Sequence, residues 1–249
     1  MVWAGSVAAG VHRNADDLGD DAFFICNSSD SAGIADGVGS WRGKGVQSGV
    51  FARSIMTNTR NFMKAGLNPY DAVSVALSDW SDQSNYGSST VIVAQRADDR
   101  LYVAQIGDSG LMIIRNNRIV FQSEPQEHLL NTPYQVGASG DSWSEALRYS
   151  VPVQSGDTII MASDGLFSNV FPSHIAEIIS QFPRLATDPE TIQDMAHFLC
   201  DYALAQSENP KIWTPIAQRR YEAGLIEARD PLSMGGKPDD IAVVVGRIE

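Results

Sequence analysis

The sequence predicts an α+β fold in which two antiparallel β-sheets pack face to face with helices outside. Three observations carry this expectation. Apolar strand-like runs follow one another across hairpin turns, helical patterns come in segregated pairs rather than alternating with each strand, and the amount of strand suggests more than one sheet. The first two strands are the run AFFIC from Ala22 and the run AGIAD ending at Asp36, separated by the polar turn NSSDS. Val46, Val50, Phe51, Ile55, Phe62 and Met63 then recur at steps of roughly three and four, which predicts a helix over 46–63. Pro69, tolerated in a first helical turn, opens a second helix over 70–80.

A β-rich block follows. STVIVAQR and RLYVAQIG flank a turn at Ala97-Asp98-Asp99, and LMIIR and RIVFQ flank Asn116-Asn117, residues suited to positive φ. Residues 123–143 are polar and aperiodic. Strands return at LRYSVPV and DTIIMAS, helical patterns occupy 173–181 and 189–206, and IAVVVGRI is the last strand. No repeat, low-complexity stretch or linker divides the chain, so a single domain over 1–249 is expected.

Composition narrows the function. The chain has 249 residues, 43% of them hydrophobic, enough to bury a full core. Its 18 lysines and arginines against 30 aspartates and glutamates give a net charge of −12, the wrong sign for a phosphate-backbone binder, so nucleic acid is not an expected partner. Cys26 and Cys200 form neither a disulfide framework nor a zinc motif, which fits a reducing intracellular compartment. No apolar run approaches a membrane span, and the opening residues reach acidic positions too soon for a signal or transit peptide; any address label is expected to be absent or removed. The glycines of 39–45 have the wrong spacing for a nucleotide loop, and the four histidines are scattered without a triad pattern.

What remains is a set of aspartates where apolar strands stop or start: Asp36 after AGIA, Asp164 after TIIMAS, and Asp239 before Asp240 and IAVVV. Strand ends aim side chains at the rim of a sheet, so three such carboxylates could converge. Converging carboxylates repel unless they protonate or a cation neutralises them, and an all-oxygen donor set favours Mg2+ or Mn2+. Taken singly, Asp36-Gly37 and Asp164-Gly165 read equally as plain turns. Asp20-Asp21 and Asp239-Asp240 read as loops entering strands, and 107–110 as a hairpin turn. Spacing alone leaves both readings open.

Taken together, GDDAFF, GIADGVGSW, GDSG, ASDGLFSNV and GGKPDDIAVVV resemble, in order and approximate spacing, the metal-dependent protein phosphatase 2C family over nearly the whole chain. DGVGSW from Asp36, NTPYQVG over 131–137 and WTPIAQRRYEAG over 213–224 are similar to the subgroup that includes mitochondrial and plastid enzymes. The resemblance implies a four-layer α/β/β/α sandwich of two antiparallel sheets flanked by antiparallel helices, with a centre of two Mn2+ or Mg2+ ions at one end. It implies hydrolysis of phosphoserine and phosphothreonine in protein substrates by a cation-activated water, without a covalent phosphoenzyme. By matching position, Asp36 would bridge both ions, Gly37 would add its carbonyl, and Asp164 and Asp239 would be the other direct ligands. Asp20 and Asp21 fall on the acidic pair around the ions, Asp108 on a third, weaker metal position, and Asp240 on a neighbouring family position without a fixed role.

Three positions depart from the family pattern. Val38 stands where many relatives have a histidine that protonates the leaving group, Asp16 where many have a phosphate-gripping arginine, and Ser168 where an aspartate is expected. His12 and Arg13, slightly upstream, and Arg219 and Arg220 are the candidate substrate contacts. Residues 208–236 are expected to form a variable flap beside the site, or a surface helix packed through Ile212, Trp213 and Ile216. The function implied is a protein serine/threonine phosphatase, monomeric and intracellular, with subgroup likeness favouring the mitochondrion over the plastid or cytoplasm. The alternative is a catalytically weak or silent member that binds phosphoproteins or a partner.

Overall fold

The computed structural model describes residues 1–8, 19–80, 87–138, 140–183, 186–226 and 234–249. In chain order, the first half holds β1 (Val2–Ala8), β2 (Asp21–Cys26), β3 (Ser31–Asp36), α1 (Ser48–Lys64), α2 (Pro69–Trp80), β4 (Ser88–Ser89), β5 (Val91–Ala97), β6 (Arg100–Ile106), β7 (Gly110–Arg115) and β8 (Arg118–Gln122). There follow β9 (Glu127–Leu129), β10 (Thr132–Pro133), β11 (Val136–Gly137), β12 (Leu147–Pro152), β13 (Thr158–Ala162), α3 (Asp164–Phe167), α4 (Pro172–Ser180), α5 (Pro189–Ser207), α6 (Pro215–Glu222) and β14 (Ile241–Arg247). Two antiparallel five-stranded sheets result, ordered β1-β14-β13-β7-β8 and β12-β6-β5-β3-β2.

Strands buried on both faces explain the continuous apolar runs. In β14, Ile241, Val243 and Val245 face the helices α4 and α5, whereas Ala242 and Val244 face the other sheet. The same two-residue alternation sends Val91 and Val93 of β5 towards α1 and α2, and Ile92 and Ala94 into the core between the sheets. The apolar stripe of α1, with Phe51, Ile55, Met56 and Met63, closes the outside of one sheet, and Ile192, Met195 and Leu199 of α5 close the other. The layers are therefore helix, sheet, sheet, helix.

Several local differences from the sequence expectations have physical causes. β1 carries only two buried apolar side chains, Trp3 and Ala4, so its alternation is faint. Its strand character comes from its full register with β14, where Trp3 lies opposite Gly246 and a Cβ on Gly246 would stand 2.6 Å from the indole. The turn at 107–110 is not a hairpin turn: it carries the chain from β6 in one sheet to β7 in the other. Residues 123–143 contain the short ladders β9–β10 and β11–β4, too brief to leave a periodic signal. The first helix starts at Ser48 rather than 46, because residues 39–44 form a 3-10 turn and the Val46 amide is tied back to the Trp41 carbonyl at 3.2 Å. Both asparagines of the predicted Asn116-Asn117 turn have positive φ, 51° and 61°.

Candidate metal centre

β3 ends at Asp36 because its carbonyl is claimed by two partners at once, the Thr90 amide at 3.0 Å and the Ser89 hydroxyl at 2.8 Å. Gly37 follows at a point of backbone crowding: a Cβ there would lie 2.7 Å from the Asp20 carbonyl and 2.9 Å from that of Ser48. Asp164 opens the one-turn helix α3 directly after β13, and a Cβ at Gly165 would stand 2.2 Å from the Asp240 carbonyl. Both Asp-Gly pairs are thus close backbone crossings rather than free turns. Asp108 sits in the crossing between the sheets, behind Gly107 at φ 95°.

These elements meet at one end of the sandwich. A cavity of about 210 Å3 is lined by five aspartates, Asp20, Asp36, Asp108, Asp164 and Asp239, together with Gly37, Thr90, Asn131 and Lys237. Asp21 stands beside it, paired in register with Asp36. Its Oδ2 accepts from the Ser163 hydroxyl at 2.7 Å, while Oδ1 is buried with no partner among the described residues. Asp240 accepts the Asp20 amide at 2.6 Å. Asp20 is gripped by Arg42, Nη2 to Oδ1 at 2.8 Å and Nε to Oδ2 at 3.1 Å, and by the Ser48 hydroxyl at 2.7 Å. Asp20 and Asp240 therefore brace the two strand ends, with hydrogen bonds already made to the chain.

The electrostatics of the cluster are those of acids crowded out of water. Burial, and then Asp21, Asp164, Asp239 and Asp108, raise Asp36 well above the ordinary carboxylate range. Burial first, then Asp240, Asp239 and Asp164, raises Asp21, against the opposing Ser163 hydrogen bond. Asp108 is pushed up to about 8 by burial and Asp164, and Asp239 to about 6 by burial and Asp164, with Lys237 opposing both. Lys237 itself is held above its ordinary value: burial would lower it, but Asp164 and Asp239 outweigh burial.

The donor chemistry suits a hard divalent cation. Every side-chain donor in the cavity wall is oxygen except Lys237 and the amide of Asn131, and Asp108 Oδ1 and Asp164 Oδ1, like Asp21 Oδ1, are buried without a hydrogen-bond partner among the described residues. Among the described residues no three acidic, histidine or cysteine side chains form a finished cage; Lys237 Nζ instead takes an oxygen of Asp164 and, at 2.9 Å, Oδ2 of Asp239.

Three residues that sequence reasoning did not single out hold this arrangement. The Asn169 side chain clamps the backbone of Lys237, receiving its amide at 2.7 Å and donating to its carbonyl at 2.9 Å. Ser163 ties β14 to Asp21, accepting the Ala242 amide at 3.0 Å. Lys237 is the third. Only the motif GGKPDD, with a lysine two residues before Asp239, offered a signal for it.

Among the candidate substrate contacts, His12 and Arg13 lie outside the described residues, as does Asp16. Arg219 is ion-paired with Glu127 of β9 and lines a second cavity of about 250 Å3 that shares Asp108 and Asp164 with the first. Arg220 lines neither cavity. Within the expected flap segment, residues 227–233 lie outside the described residues, and α6 packs as a helix beside the site, capped by Thr214, with Ile216 buried and its amide bonded to the Ser168 carbonyl at 3.0 Å. Ser168, in the place of the expected aspartate, is buried within α3's C-terminal turn, with its hydroxyl 3.4 Å from Asp164 Oδ2.

The family model described as protein phosphatase 2C matches residues 10–200. The chain is 34% identical over 253 residues to the protein phosphatase PTC7 homolog fig of Drosophila virilis, covering 93% of this chain and 78% of that protein. The X-ray structure of the photosystem II phosphatase PBCP superposes with a TM-score of 0.90 at 28% identity, over 100% of this chain and 98% of the other. The catalytic domain of the phosphatase PstP, in complex with two manganese ions, shares the fold at a TM-score of 0.66 and 19% identity, over 98% and 96% of the two chains. Fold and relatives together define a protein-phosphate hydrolase built on a two-sheet sandwich. The chain belongs to the protein phosphatase 2C family, and its activity is that of a metal-dependent serine/threonine protein phosphatase.

Proposed function

We propose that the acidic cavity is the catalytic centre of this phosphatase and that Asp36, the Gly37 carbonyl, Asp164 and Asp239 hold two Mn2+ or Mg2+ ions there. The observation that carries the reading is the convergence of aspartates from β3, α3, the β6–β7 crossing and the segment before β14 on one cavity. Asp108, whose Oδ1 has no partner among the described residues, suits a third and weaker cation position. Asp20, Asp21 and Asp240 act mainly by bracing the ligand-bearing strands through the contacts to Arg42, Ser163 and the Asp20 amide.

When bound, the cations supply a water acidified to near-neutral pKa and positive charge against the phosphate oxygens. The protein's part is to hold acids of separate elements at fixed positions and to keep them poorly hydrated, so that they bind cations strongly. Among the described residues no imidazole lines the cavity wall: Val38 occupies the position after Asp36-Gly37, and none of His128, His174 and His197 lines it. Arg219 and α6, beside the second cavity, are placed to contact the polypeptide around the phosphorylated residue. Residues 208–236 would then form the substrate-facing flap of one domain spanning 1–249. Arg220, His12 and Arg13 remain weaker candidates for the same role.

Assay of a phosphothreonine peptide with and without Mn2+ tests the reading. Wild-type protein is expected to hydrolyse it only with the ion, and Asp36→Asn to lose both Mn2+ binding and turnover while keeping its far-ultraviolet circular dichroism. Near-normal turnover in Asp36→Asn would remove Asp36 from the metal centre. Subgroup likeness favours a mitochondrial address, which fractionation of cells expressing the full-length protein would test. A monomer in solution, with phosphoproteins as substrates and no nucleic-acid partner, is the expectation for light scattering and binding assays.

A further inference from the structure

Among the described residues lining the cavity one side chain is basic, and it occupies one oxygen of each of two proposed ligands. Lys237 Nζ pairs with Oδ2 of Asp164 and, at 2.9 Å, with Oδ2 of Asp239. These two carboxylates come from different elements, α3 and the segment before β14, so the ammonium bridges the two sides of the site. Its side chain is only 20% exposed. Its backbone does not drift: the Asn169 amide holds both its N–H and its C=O, and Pro238 restricts the next φ. The stem is fixed while the four-carbon side chain retains its own torsional freedom.

From this geometry we infer that Lys237 is a built-in, displaceable counter-ion of the metal centre. The inference rests on the assignment of Asp164 and Asp239 as ligands. A divalent cation arriving at contact distance is repelled by the ammonium, and taking an oxygen that Lys237 holds also costs the ion pair. Asp164 keeps Oδ1 without a partner among the described residues, but both oxygens of Asp239 are engaged, Oδ1 by the Asp240 amide and Oδ2 by the ammonium, so loading the Asp239 side of the site requires Lys237 to swing aside on its anchored backbone. Two effects follow from one group. Lys237 lowers the affinity for Mn2+ through its charge beside the site and the ion pair it must give up, a negative coupling between two cations competing for one cluster of acids. It also relieves the repulsion among the aspartates before any cation arrives, so that the strand ends stay together.

The test measures binding rather than turnover. Mn2+ is titrated calorimetrically into wild type, Lys237→Met and Lys237→Arg after exhaustive chelation, and thermal unfolding is recorded in chelator. Lys237→Met is expected to bind Mn2+ about tenfold more tightly and, without the ion, to unfold several degrees lower. Lys237→Arg, which keeps the charge, is expected to stay near wild type in chelator. Lys237→Gln repeats the titration should the methionine variant fail to fold. Equal or weaker Mn2+ binding once the ammonium is gone, or an unchanged unfolding temperature in chelator, would overturn the inference. Failure of the ligand assignment reads differently: Asp164→Asn and Asp239→Asn would then leave Mn2+ affinity intact.

Discussion

At the scale of single residues, the cost of gathering aspartates appears as displaced proton affinity. Asp108 is raised to about 8 and Asp239 to about 6, both first by burial, and a cation can take only the ionised forms. Protons must leave as the ion binds, so apparent Mn2+ affinity should climb as pH rises through about 6 and towards about 8, as titrations at fixed ionic strength would report. The same shifts act on folding with the opposite sign. These groups bind protons more tightly folded than unfolded, where the value is about 3.9, so the chelated protein should lose stability as pH rises from about 4 towards 8. Denaturant midpoints across that range check the sign. Glycine is as demanding here as aspartate: with 2.2 Å between a Cβ at 165 and the Asp240 carbonyl, Gly165→Ala should destabilise by about 2 kcal/mol or more and weaken Mn2+ binding together.

At the scale of elements, short pieces do the positioning. α3 is a single turn, yet it carries Asp164 at its start and its C-terminal turn receives α6 through the Ser168 carbonyl. α6 begins at Pro215 behind the Thr214 cap, whose hydroxyl accepts from the Ala217 amide at 3.3 Å and donates to the Gly235 carbonyl at 2.8 Å. Thr214→Ala should therefore cost about 1 kcal/mol, measured by urea unfolding. The Arg219–Glu127 pair links α6 to β9, with Arg219 on the wall of the second cavity. Arg219→Ala should raise KM for a phosphothreonine peptide several-fold while leaving kcat/KM for p-nitrophenyl phosphate close to wild type, because the small ester makes no contact with the polypeptide-facing wall.

Across the whole molecule, the two sheets act as a rigid frame whose edges place the site. Ile113, fully buried in the intersheet core, is remote in role from the aspartates, and Ile113→Ala should cost about 2–5 kcal/mol without altering the Mn2+ affinity of the folded protein. The cation, by contrast, should raise the unfolding temperature of wild type in a concentration-dependent way, since it binds ligands that meet only in the folded state.

Local rules were enough to read the main strands and helices, because β5, β6, β7, β13 and β14 are apolar on both faces and α1 and α5 carry clear stripes. The same rules put aspartates at strand ends and, with the motif order, pointed to the family. They did not reveal β1, whose strand character depends on a partner more than 230 residues away, nor the crossing at 107–110, which looks the same locally whether the chain turns back or changes sheet. Asn169 and Ser163 were equally invisible, and Lys237 was marked only by its place in GGKPDD. A lysine beside a proline, an asparagine after a helix and a serine at a strand end have no local periodicity that marks them. Their roles consist of contacts 68 residues apart for Asn169 with Lys237 and 142 for Ser163 with Asp21. The amino-acid order thus determined which segments form and which acids lie at their ends. Folding alone decided which of those acids meet, what braces them and which ammonium stands between them, because electrostatic neighbours are set by distance in space and not by distance along the chain.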